Sequence, residues 1–206
     1  MQYTINSLTM RKNWNLKIVG GKVTLVPYRH CHVAKYHEWM KDPYLQEMTA
    51  SEPLSLSEEY EMQTNWRDDE TKCTFILLDS SDGPEKMVGD VNLYFHDSDE
   101  PTTGEIEIMI AEPSCRRKGL ATEALKLFMN FAITTLGTVR FVAKISNKNA
   151  PSIGLFTSLG YNIYKLVDVF EETNMDLHVT ADSHVAEFGK NYQVEEYLPT
   201  AEEDKI

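Results

Sequence analysis

The chain has 206 residues, 42% hydrophobic and 25% charged, a balance that fits one soluble globular domain with room for a sizeable core. Its 32 acidic and 20 basic residues give a formal net charge of −12. That charge argues against general affinity for nucleic acid and leans weakly toward a basic partner, although solubility alone also accounts for it. No apolar run is long enough to span a bilayer, and the start of the chain lacks the apolar core of a signal peptide, so neither membrane insertion nor secretion is expected.

Residues 1–21 read as a polar N-terminal segment with little pattern. No acidic residue precedes Glu38, and Arg11, Lys12, Lys17 and Lys22 are basic, a balance shared with transit peptides. A single arginine in the first 28 residues and a strand starting near Lys22 argue the other way. Gly20-Gly21 marks a turn, and Lys22–Tyr28 (KVTLVPY) is a β-rich run closed by Pro27. A helix is predicted over His32–Met40, broken by Asp42-Pro43. Ser57 stands three residues before Tyr60, so no strict capping box is expected. Ser57-Glu58-Glu59 still opens a helix running to about Trp66.

Thr74–Leu78 and Met87–Phe95 are predicted strands, the second with Gly89 as a candidate bulge. Gly104–Ala111 is a third. In Ala121–Leu136, Leu120, Ala124, Leu127, Phe128, Phe131 and Ala132 recur at helical spacing and make one apolar face, ended by Gly137. A strand at Val139–Ile145, a helix at Ala150–Leu159 ending at Gly160, and strands at Asn162–Glu171 and Met175–Val179 complete the domain, residues 22–180. Residues 181–206 carry Glu195, Glu196, Glu202, Glu203 and Asp204 and read as a mobile acidic tail. The order implies an α/β (α+β) fold, a mixed sheet flanked by helices on both faces, with a parallel strand–helix–strand crossover from 104 to 145.

The three cysteines, Cys31, Cys73 and Cys115, are odd in number and widely spaced, which is neither a disulfide framework nor a zinc pattern. A reducing compartment, cytosol or nucleus, is expected. His30, His32 and His37 do not share ligand spacing, so no metal site is expected.

The chemistry concentrates in residues 104–122, GEIEIMIAEPSCRRKGLAT. A strand there meets a basic loop, Arg116-Arg117-Lys118, and a helix that starts at Gly119-Leu120-Ala121-Thr122. The unpaired N–H groups and the positive end of the dipole make an anion cradle. A basic surface turn is the alternative on physics alone. The signature of a P-loop is absent. R-x-x-G-x-A at Arg116–Ala121 resembles the acetyl-CoA pyrophosphate loop of the GNAT acetyltransferases. The segment from Asn149 to Tyr161, with Ser152, Leu155, Phe156 and Gly160, resembles that family's helix after the fifth strand. KVTLVPY followed by Tyr36-His-Glu-Trp39-Met40-Lys-Asp42-Pro43 resembles the RimJ/RimL-like branch, and MVGDVNL, TASEPLSL and GEIEIMIAEPSC resemble its N-acetyltransferase 9 group.

The resemblance implies an acetyl-CoA-dependent N-acetyltransferase that acts on a protein or peptide amine by direct transfer without a metal. It implies that the amides from Arg117 to Thr122 hold the pyrophosphate. Strand amides near Met109, Ile110 and Ala111 would meet the thioester and pantetheine, and Asn149, Ser152 and Phe156 would line the other side. The N–H near Met109 would stabilise the oxyanion. A protonated amine needs a base. Glu105, eleven residues before Arg116, has the spacing of the base in histone-acetylating members, with Glu107 on the same strand face as the second candidate. Mutual repulsion of the two is expected to raise one pKa. The family's acidic tyrosine is replaced by Phe156, leaving Tyr161, Tyr164 or solvent as proton donor. A small-amine acetyltransferase, or a catalytically weak protein that binds acetyl-CoA or a partner, remains open at this level.

Overall fold

The computed structural model describes residues 12–81, 83–96, 98–180 and 193–198. Strands β1 (Leu16–Val19) and β2 (Val23–Pro27) lead into helices α1 (His30–Trp39), α2 (Pro43–Thr49) and α3 (Leu56–Asp68). A meander follows, β3 (Lys72–Asp79), β4 (Lys86–Tyr94) and β5 (Thr103–Ile110). Then come α4 (Leu120–Phe131), β6 (Arg140–Ser146), α5 (Ala150–Ser158), β7 (Asn162–Val167), β8 (Glu172–His178) and β9 (Gln193–Glu196). All nine described strands join one mixed sheet, ordered β7-β8-β6-β5-β4-β3-β2-β1-β9. Every pairing is antiparallel except β5 with β6.

The helices cover both faces because the strands alternate two apolar sets. Under α4 lie Leu25, Phe75, Leu93, Ile106 and Phe141, all essentially unexposed. The predicted face of α4 supplies Leu120, Ala124, Leu127, Phe128 and Phe131, with Phe75 edge-on to the two phenylalanine rings at 5.5 Å each. Each leucine, isoleucine and phenylalanine among them contributes about 1.5–3 kcal/mol by leaving water. The opposite face is more polar. There Tyr28, Tyr36, Trp39 and Trp66 pack in edge-to-face and tilted ring contacts over Val26 and Ile76.

Five local expectations change. The strand predicted over Asn162–Glu171 stops at Val167, and a 3-10 turn, Asp168–Phe170, leads into β8. Asp42-Pro43 starts a helix as well as ending one: the Asp42 carboxylate accepts the Tyr44 N–H at 2.9 Å and proline occupies the first turn, where no N–H is needed. The cap of α3 is Ser55, not Ser57, and Glu58 closes a full capping box with it. The final turn predicted for α4 is a π-helical segment, Ala132–Leu136, closed by Gly137 at φ +76°. Finally, β1 emerges from the N-terminal segment and β9 from the expected mobile tail. The two strands pair, with Lys17 and Glu195 bridged at 2.9 Å. The rest of the tail, 181–192 and 199–206, lies outside the described residues.

The bulge predicted near Gly89 is present. Val88 is the extra residue of β4, between the pairs Leu77–Gly89 and Leu78–Met87. A Cβ on Gly89 would lie 1.8 Å from the carbonyl oxygen of Met109. Gly89→Ala is therefore expected to cost about 1–3 kcal/mol or more through forced backbone displacement, read as a lower midpoint in denaturant. An unchanged midpoint would show that β4 and β5 separate without cost.

Candidate active site

The bulge sits where the sheet opens. β5 pairs with β6 only through Thr103, Gly104 and Glu105, and beyond Glu105 the two strands diverge. Backbone alternation fixes which groups face the gap. Thr102 offers its carbonyl to Val139 on the β6 side, whereas Ala111 donates its N–H to Val88 on the β4 side, at 2.8 Å. The even-numbered residues therefore face the opening: the amides of Ile108 and Ile110 point into it. The expectation of donors at Met109 and Ala111 is corrected accordingly, since Ala111 is already engaged. Met109 and Ile110 still line the cleft, while Met109 and Ala111 pack on the α1–α3 side.

The cleft encloses about 790 Å³ between the N-terminal ends of α4 and α5, the size of a small-molecule site. Its floor is the end of β5, and its walls are the loop 116–122, Asn149–Ser152 and Leu155, and Tyr44 and Leu45 of α2. At the loop, Arg117 and Gly119 both adopt left-handed conformations, φ +63° and +85°, and α4 begins immediately after. This turn gathers consecutive N–H groups into a concave anion-binding nest.

The three cations of the loop divide. Arg116 turns inward, donating to the carbonyls of Ile110 (2.9 Å) and Ala111 (3.3 Å), with its guanidinium 5.3 Å from the Tyr44 ring. Its side chain thus ties the loop to the strand. Arg117 and Lys118 stay exposed. Lys22, just before β2, brings its Nζ to 3.4 Å from the Lys118 carbonyl. Glu123 brings it there by accepting the backbone N–H groups of Gly21 (2.6 Å) and Lys22 (2.9 Å). No local pattern signals a contact spanning a hundred residues.

Asn149 caps α5, its side-chain oxygen accepting the Ser152 N–H at 3.2 Å, and both residues line the cleft. Its NH₂ group is left as the donor. Phe156 is buried beneath the lining, edge-on to Tyr161 at 4.9 Å. Tyr161 is equally buried, and its hydroxyl meets Met129 Sδ at 3.6 Å. Burial pushes its pKa up. Tyr161 therefore lies in the core behind α5, and the structure does not bring it to the cleft with the other candidates. Tyr164 is exposed on β7 beside Arg140.

The two glutamates lie on the α1–α3 side of β5 but differ in surroundings. Glu105 is held by Lys144 Nζ at 2.6 Å and approached by His96 at 3.6 Å. Glu107 lies opposite Asn92 in the sheet, with the Tyr94 hydroxyl at the next pair along favouring its ionised form, and it has no ion pair as close among the described residues. Glu107 is exposed at the surface, yet neighbouring protein atoms stand close enough to its carboxyl to oppose its ionisation. This desolvation, reinforced by the negative charge of Glu105, lifts its pKa from 4.5 to about 7. The expected repulsion is thus present, and the raised member is Glu107. Asp90, buried below it, is raised to about 6 by desolvation while Asn92 (2.7 Å) and Tyr36 (3.5 Å) donate to it. No cluster able to hold a metal occurs among the described residues.

The sequence profile described as Acetyltransferase (GNAT) domain matches residues 22–162. The mouse (Mus musculus) protein alpha/beta-tubulin-N-acetyltransferase 9 is 50% identical over 179 residues, covering 83% of this chain and 74% of that one. Its human (Homo sapiens) counterpart is 48% identical, covering 85% and 89%. Among solved structures, spermidine N-acetyltransferase from Vibrio cholerae, in complex with CoA and spermine, superposes with a TM-score of 0.69 at 18% identity, over 77% of this chain and 96% of that one. The nest before α4 and the open edge of β5 lie within the matched residues 22–162, and the chain belongs to the GNAT acetyltransferase family, in its N-acetyltransferase 9 group.

Proposed function

We propose that the cleft binds acetyl-CoA and that Glu107 is the base that frees an acceptor amine of a protein or peptide for direct acetyl transfer. The observation that carries the reading is the opening of β5 from β6 between two helix N-termini, with Glu107 just past the branch point. The nest from Arg117 to Thr122 holds the pyrophosphate, with Lys22, Arg117 and Lys118 adding charge. The amides of Ile108 and Ile110 meet the pantetheine and thioester carbonyl, and the Asn149 amide and Ser152 bound the same arm. The acceptor enters from the α1–α3 side, where Glu105, Glu107 and Asp90 favour a cation. Glu107 takes the proton from the ammonium, directly or through water, and with a pKa near 7 it does so at neutral pH. Neither Phe156 nor Tyr161 offers an acid at the cleft, so solvent protonates the leaving thiolate, which its low basicity permits.

The mammalian relatives carry tubulin in their names, which makes tubulin the first acceptor to test. Purified protein incubated with acetyl-CoA and tubulin, followed by peptide mass spectrometry, is expected to give acetylated tubulin N-termini or lysines. Acetylation of spermine or spermidine with none on tubulin or on a peptide library would replace the protein acceptor by a small amine.

A further inference from the structure

Lys72 is an unusual residue to find beneath an active site. It lies on β3, only 2% exposed, and its Nζ donates to the hydroxyl of Tyr94 at 2.7 Å. The same Nζ lies 2.8 Å from the centroid of the Trp66 ring and 4.3 Å from that of Tyr94. Tyr94 is the diagonal cross-strand neighbour of Glu107 on the same sheet face, and its hydroxyl favours the ionised carboxylate there. A line of neighbouring groups therefore runs from a buried amine, through the phenol it donates to, toward the carboxylate at the branch point of the sheet. Burying an amine costs several kcal/mol unless something opposes it, and a residue serving only the core would be apolar.

We propose that Lys72, acting through the hydroxyl of Tyr94, is a positioning residue that keeps the Glu107 carboxylate ionised and aimed at the acceptor. The inference rests on Glu107 being the base. Other charged groups face this line from each side. Asp90 on β4 and Asp69 before β3 attract the Lys72 ammonium. Glu105 repels Glu107 but is itself held by Lys144 and approached by His96, and Tyr36 donates to Asp90. The signs are consistent with the geometry: Lys72 lowers the Glu107 pKa and Glu107 raises that of Lys72, each against the larger opposing effect of burial. Desolvation brings the Lys72 pKa down to about 7, so the positive charge that supports Glu107 weakens as pH rises further.

The test is the pH profile of kcat/KM. In the wild type, activity falls as pH drops through the Glu107 pKa. Lys72→Met keeps an unbranched apolar stem under Trp66 and removes the charge. It is expected to move that acid limb upward by about one pH unit. Tyr94→Phe removes only the hydroxyl and is expected to move it in the same direction, which keeps the proposal testable if Lys72→Met does not fold. Folded variants that lose rate while the limb stays at the wild-type pH would overturn the inference and leave Lys72 a packing residue. Glu107→Gln separates the two levels. A limb that survives this substitution removes Glu107 as base. A limb that vanishes with it, yet ignores Lys72→Met and Tyr94→Phe, leaves the base in place and removes only the relay.

Discussion

Glu107→Gln is expected to lower kcat by about 10²–10⁴-fold while acetyl-CoA binding stays within a few-fold of wild type. The amide matches the carboxylate in shape, so packing is kept and only the proton acceptor is lost. The two states of the glutamate set the pH dependence. Its pKa is raised to about 7, so below that value the carboxyl holds a proton and cannot take another, and kcat/KM declines toward acid. Removing the group should flatten that decline as well as lower the rate. Glu105→Gln is the control. Its carboxylate is already paired with Lys144 at 2.6 Å, so its loss frees Lys144 and relieves Glu107 of a neighbouring negative charge. A change under about tenfold, with the acid limb moved downward, is expected for it. Should Glu105→Gln prove the crippling variant, and Glu107→Gln the mild one, the assignments exchange.

Gly119→Glu is expected to abolish measurable acetyl-CoA binding by calorimetry, a loss of at least about 100-fold, or roughly 3 kcal/mol. Two effects act together. Gly119 has φ +85°, a conformation that costs a residue with a Cβ about 1 kcal/mol or more. The new carboxylate also places a negative charge at the N-terminus of α4, where the nest would meet pyrophosphate. Gly119→Ala separates them, since it carries the strain without the charge. An added Cβ there meets nothing nearer than Lys22 Nζ at 3.4 Å, a flexible tip, so the alanine variant should bind only modestly more weakly. Equal, complete loss in both would locate the effect in backbone strain and not in the anion site. Unchanged binding in Gly119→Glu by a folded protein would remove the cofactor from this cleft.

Much of this was legible in the chain because the relevant physics is local. The strand at 104–110, the basic loop and the helix start at Gly119 follow from neighbours in sequence, as do the Asn149 cap and the apolar stripe of α4. β1 and β9 were not legible: β1 is four residues long, and β9 buries none of its side chains, so it is defined by backbone pairing to β1 alone. The cap of α3 is ambiguous locally, because Ser55 and Ser57 both precede acidic residues and only the helix start selects Ser55 with Glu58.

The site divides in the same way. Residue order alone sets which residue types meet at the loop and which two glutamates compete. Tertiary structure gives those glutamates different surroundings, because only the fold pairs Glu105 with Lys144 and leaves Glu107 opposite Asn92. It also turned Arg116 inward, brought Lys22 to the loop, sealed Tyr161 behind α5, and placed Lys72 under Glu107. Each of these depends on desolvation or on pairing between residues far apart in the chain, quantities that no local pattern of residues encodes.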